Sequence, residues 1–305
     1  MAGSLIGQRP AAAAWQDWRR PQSLRFAGLV GYTGLVTLLF VQPLARLVAL
    51  ALQNDLHSYI PAVPLISGYL LYTQPRRAER YQSSVAASIL IAAVAVAVLG
   101  ATSQLAPRLS VNDNLTLMIL AYVSFVVAGG FLFLGSQWMA AAAFPVAFLL
   151  FMVPLPDVAV DWLEGVLVAA SADVAALCFN WTGTPLFREG TTLMLPGIVL
   201  EVARECSGIR STVVLFITSV LGSHLFLKSR WRRAVLIAFV VPLAIVRNGF
   251  RILVIGLLSV HIGPHMSESF IHRRGGPIFF ALSLVPLLLL LSWLRRHDTS
   301  VNVHR

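Results

Sequence analysis

The chain has 305 residues, 57% of them hydrophobic and only 12% charged, with a mean hydropathy of +0.78 and a formal net charge of +10. This is too apolar for a soluble domain of such length and reads as a membrane protein. Two cysteines exclude a disulfide-rich scaffold, and no basic patch with interleaved aromatics stands apart from the apolar runs, which excludes nucleic acid as a partner.

The first 23 residues are polar and mildly basic, without a small-residue cleavage site, so residues 1–23 read as a cytoplasmic segment before a retained first span. Apolar runs long enough to cross a hydrocarbon core about 30 Å thick follow near 24–44, 58–74, 84–101, 115–135, 138–155, 207–227, 234–255 and 277–294. The second is short and holds Pro61 and Pro64. The pattern predicts an all-α, polytopic helical membrane protein of about eight transmembrane helices, with one membrane domain over 24–294 and a cytoplasmic basic tail over 295–305. Between the fifth and sixth runs lies "DVAVDWLEGVLVAASADVAALCF", where Asp157, Asp161 and Glu164 fall at i, i+4 and i+7. One acidic stripe predicts a helix lying in the interface rather than crossing the core.

Charge orients these elements. With the N-terminus inside, the inner joints collect 14 of the 23 basic residues, among them Arg76, Arg77, Arg80, Lys228, Arg230, Arg232, Arg233, Arg295 and Arg296, against only Asp17, Glu79 and Asp298 of the 13 acids. That obeys the positive-inside rule. Six of the remaining arginines belong to three stretches that this topology brings to one outer boundary: Arg204 and Arg210 in Glu201–Ser211, Arg247 and Arg251 in "RNGFR", and Arg273 and Arg274 in "HRRGG".

Arginines near the end of a span either snorkel to headgroups or line a polar pocket, and for Arg247 and Arg251, one helical turn apart, both readings stand. Cys206 falls in the first turn of the sixth span, where unpaired N–H groups, the helix dipole and nearby Arg204 and Arg210 favour a thiolate over a small buried hydrophobe. Of seven histidines, His272, just before the last span, is the best placed acid or base. The pair in "HIGPH", His261 and His265, has i, i+4 spacing, but Gly263 and Pro264 break the helix a metal pair would need, so no metal or other cofactor is expected. GxSxG, GxxxxGK and GxGxxG are absent.

At these residues the sequence resembles the exosortase/archaeosortase family of integral-membrane cysteine transpeptidases. The likeness rests on "LEVARECSGIRS", on "IVRNGFRI" with its asparagine three residues before an arginine, and on "HRRGGPIFF", with weaker echoes in "VPLISGYLLY" and "FMVPLP"; it runs from about residue 57 to 294. Pro277 departs from the aromatic that many members carry after the glycine, which bears on substrate subclass. The resemblance implies Cys206 as nucleophile, Arg251 as the essential arginine and His272 as acid/base. Arg210 or Arg247 would then pair with a substrate glutamate, with Asn248 and Glu201 also on the substrate side. It further implies a multi-pass protein of the bacterial inner membrane that works at the outer face. Its partners would be the bilayer and exported proteins ending in a Pro-Glu-Pro-like motif, a hydrophobic helix and a basic cluster. A transporter, or a non-catalytic subunit of a polysaccharide-export assembly, is the alternative that hydropathy leaves open.

Overall fold

A computed structural model describes residues 11–73, 84–202, 207–263 and 276–300, in two compact units, Met1–Pro156 and Asp157–Arg305. The described residues form an all-helical membrane architecture apart from one small sheet. Six of the helices are long and apolar enough to cross a membrane, or up to seven if one bent pair counts as a single span. The all-α, polytopic class holds; six or seven such helices among the described residues stand beside an expected count of about eight, and prolines explain most of the difference.

In the first unit, α1 (Ala11–Leu39) and α2 (Val41–Gln53) meet at a bend of 74°. Pro43 has no N–H for the Leu39 carbonyl, and its ring crowds that carbonyl, so the helix cannot run on. Pro61 starts the next helix late. Of the expected span 58–74 only α3 (Ala62–Thr73) forms, and its 12 residues cover about 18 Å, short of the hydrocarbon core. The hairpin of α4 (Val85–Leu105) and α5 (Val111–Phe133) matches expectation. Ser110 caps α5 by accepting from the Asp113 N–H (2.9 Å), and the Ser88 hydroxyl ties the two helices by donating to the Ala128 carbonyl (2.9 Å). α1 packs antiparallel on α5, where the Tyr32 hydroxyl donates to the Phe125 carbonyl (3.2 Å) and a Cβ on Gly129 would lie 2.4 Å from the Tyr32 ring.

The fifth expected span, 138–155, is a run of pieces: α6 (Ser136–Ala141), α7 (Ala143–Phe148) and a 3₁₀ turn (Leu149–Met152). Pro145 removes the N–H that would bond the Ala141 carbonyl. The run nevertheless returns along α5. Met139 lies against Gly130 near one end of α5, and near the other the Asn112 amide and the Thr116 hydroxyl donate to the carbonyls of Leu155 (2.8 Å) and Pro154 (3.2 Å).

The second unit opens with α8 (Asp157–Trp181), 25 residues long and apolar enough to span, where the sequence predicts an interfacial helix. The physical reason is visible in the stripe itself. Asp157, Asp161 and Glu164 occupy only the first turns, and the same face continues as Val168, Ala172, Ala175 and Phe179, all buried. These residues join Leu193, Leu195, Val202, Ile252 and Leu253 in one core. The sheet is an antiparallel meander of β1 (Phe187–Glu189), β2 (Thr192–Leu195) and β3 (Ile198–Glu201). Its second turn is Pro196-Gly197, where proline presets one φ and Gly197 takes +78°. Arg188 of β1 pairs with Asp173 of α8.

α9 (Ile209–Phe226), α10 (Arg230–His261) and the last helix, α11 (Gly276–Ser300), pack around Leu215, Leu227, Leu236, Val240, Leu287 and Leu294. Pro277 sits in the first turn of α11, where a missing N–H costs nothing. One end of this bundle is basic and is tied by a single acid. Asp298 accepts from the backbone N–H groups of Lys228 and Ser229 and pairs with Arg232, serving as the cap that the α10 N-terminus does not find in Ser229. Asp298 is buried. Asp298→Ala leaves Arg232 and two N–H groups without their acceptor and is expected to cost about 3 kcal/mol, read as a lower thermal midpoint in detergent. An unchanged midpoint would show that the acid is not a cap.

Candidate active site

The site is built where the first turn of α9 meets the middle of α10. From Arg230 to Arg247 the helix rises about 26 Å, close to one hydrocarbon thickness, so Arg247 stands at the opposite boundary from the basic end. α10 continues to His261 beside the end of α8 and the sheet.

Two glycines set the rotation of α10. A Cβ on Gly249 would lie 2.6 Å from the Val174 side chain, and one on Gly256 would lie 2.4 Å from the Phe179 ring. Their absence lets α8 seat closely on that face. Arg247 and Arg251 lie two residues on either side of Gly249, about 200° around the helix, and therefore project from the face opposite α8.

On that face Arg247 meets the start of α9. The N-cap, Gly208, has φ +71° and no side-chain cap. Its carbonyl accepts from the Thr212 N–H (3.0 Å), the hydroxyls of Ser211 (3.0 Å) and Thr212 (2.9 Å), and Arg247 Nη2 (3.2 Å). Arg247 Nη2 also reaches the Thr212 hydroxyl oxygen (3.4 Å). Ser207, Asn248 and Arg247 are all buried, the last with 7% exposure. Arg247 is thus a buried, inward-facing group, which decides between the two readings the sequence left open. Gly208 is required twice over: its φ favours glycine, and a Cβ there would lie 2.8 Å from Arg247 Nη2 and 3.2 Å from the Asn248 side-chain oxygen. Gly208→Ala is expected to destabilise by about 1–3 kcal/mol and to displace the α9 start from Arg247, measured as a lower thermal midpoint in detergent.

The family model described as transmembrane exosortase matches residues 51–289, most of the span over which the sequence resemblance runs. The chain belongs to this family. No curated protein and no solved structure matches it.

Of the site residues expected for this exosortase, the structure brings Arg247 and Asn248 together with the Ser207-Gly208 turn that directly follows Cys206. Arg251 is half-buried one turn further along α10. Arg210 is exposed in the first turn of α9, and Glu201 is exposed at the end of β3, in register with Thr192. Cys206 and His272 lie outside the described residues, as do Arg204, Arg273, Arg274 and His265. Sequence reasoning missed Gly208 and Thr212 as partners of Arg247, and Ser211 as a second hydroxyl on the Gly208 carbonyl. The one signal for them was a glycine immediately before an apolar run rich in hydroxyl residues.

Proposed function

We propose that this protein is a membrane cysteine protease and transpeptidase that removes the C-terminal sorting signal of exported proteins. By the positive-inside rule the end holding Lys228, Arg230, Arg232, Arg233, Arg295 and Arg296 faces the cytoplasm of a bacterial cell, and Arg247 and Arg251 face the outer side of the inner membrane. The observation that carries the reading is the seating of the turn next to Cys206 on Arg247 and Asn248, one helical turn from Arg251, in a chain of the exosortase family.

In this mechanism the Cys206 thiolate attacks the scissile carbonyl carbon, and the carbonyl electrons move onto oxygen. Arg251 stabilises that oxyanion. As the intermediate collapses, the C–N bond breaks and His272 gives a proton to the leaving amine, which stays on the hydrophobic signal helix. An amine or a water then attacks the thioester and returns the thiolate. Arg210, Arg247, Asn248 and Glu201 form the substrate-facing set.

Co-expression with a model exported protein that ends in a short motif, a hydrophobic helix and a basic cluster tests the proposal. The expected result is a shortened product and a covalent acyl adduct on Cys206 that hydroxylamine removes. Shortening without such an adduct would disprove the thioester route, and an amine found on the product would identify transfer rather than hydrolysis.

A further inference from the structure

Arg247 is a cation placed where its surroundings do not balance it. It is 7% exposed, its Nη2 is committed to two neutral acceptors, and its Nη1 is buried without a hydrogen-bond partner among the described residues. Guanidinium stays charged at neutral pH, and a buried donor left unmatched costs free energy. The neighbour it leans on makes this worse. The first turn of α9 presents the positive end of the helix dipole; Gly208 supplies no side chain to cap it, and the Ile209 N–H is met only at 3.4 Å, by the Ser207 hydroxyl. Two positive features side by side, one with a buried unpartnered donor, define a receptor for an anion.

We propose that Arg247 Nη1 and the first turn of α9 receive one carboxylate borne by the polypeptide substrate, making Arg247 a specificity residue. A carboxylate suits the place because one oxygen accepts from Nη1 and the other from a backbone N–H of the turn, both charge-assisted bonds. Lipid phosphate is the less fitting occupant. Exposed Arg210 in the same turn is where a hydrated headgroup reaches, whereas Arg247 is buried. The assignment separates the two α10 arginines: Arg247 reads an acidic side chain of the substrate, and Arg251 serves the reacting carbonyl. It rests on the proposed processing activity for the carrier of the carboxylate.

The test compares model substrates that carry Glu or Gln in the motif preceding the hydrophobic helix, processed by the unaltered protein and by Arg247→Gln in the same membranes. The unaltered protein should process the Gln substrate about 10- to 100-fold more slowly. Arg247→Gln should process the Glu substrate with a similar loss and no longer distinguish the two. Equal rates for Glu and Gln substrates with the unaltered protein overturn the carboxylate site and leave the processing activity standing. A discrimination that persists in Arg247→Gln overturns it as well. Failure of the unaltered protein to process the Glu substrate at all overturns the activity and, with it, this assignment. The comparison on the unaltered protein decides first, so a loss of fold in Arg247→Gln does not conceal the answer.

Discussion

Cys206→Ala is expected to reduce processing of a signal-bearing substrate to background, a fall of about 10⁴-fold or more, while the protein still inserts and accumulates. The magnitude follows from covalent catalysis. Without sulfur there is no thioester, and the surrounding cations then polarise a carbonyl that nothing attacks. An ordinary thiol with a pKa of about 8.5 is only a few per cent ionised at neutral pH, so the proposed nucleophile, two residues before the α9 N-cap in sequence, gains from any positive field that holds it as the thiolate. Cys206→Ser is expected to be nearly as inactive, since the same field does not ionise a hydroxyl. Pulse-chase labelling of the substrate measures both variants. Full processing in either variant is the result that refutes Cys206 as the nucleophile.

Arg251→Gln is expected to lower kcat by about 10²- to 10³-fold with little change in KM, the pattern of a donor used on the developing oxyanion rather than on the bound substrate. The structure favours Arg251 over Arg247 for this task. Arg247 is drawn down to the α9 turn by Gly208 and Thr212, whereas Arg251 stands about 6 Å further along the same face and is half-buried. Arg251→Lys should recover part of the rate, because charge is retained while the planar fork is lost. Steady-state processing at several substrate expression levels separates the two parameters. A rise in KM with kcat unchanged would move Arg251 from the reacting carbonyl to substrate docking.

Several features were readable from the chain because they depend on composition along it. The hairpin of α4 and α5 and the last three helices lie in uninterrupted apolar runs, and such runs have few other solutions in a bilayer. The sheet was also legible, though it was not predicted. "FREGTTLMLPGIVLE" sets two short apolar runs on either side of a Pro-Gly turn, but its short strands were lost among long apolar helices. Hydropathy does not tell which prolines break a helix: α10 and α11 run on through Pro242 and Pro286. Pro43 and Pro145 lie inside runs that score as spans, and only the backbone shows that α1 bends and that 138–155 is broken.

α8 shows the limit most clearly. Its acidic stripe reads as an interfacial face because a window of eight residues cannot reveal that the same stripe becomes the packing surface of a 25-residue helix. Arg247 and Arg251 pose the same problem at the site, for helical spacing alone does not tell which of two arginines four residues apart is buried, although the asparagine spacing points to Arg251 for the chemistry. By itself the sequence determined the all-α, polytopic membrane class, since this follows from local hydropathy. Only the tertiary structure decided that Arg247 is buried against Gly208 while Arg251 is half-buried one turn further along, because Gly249 and Gly256 seat α8 and so fix the rotation of α10.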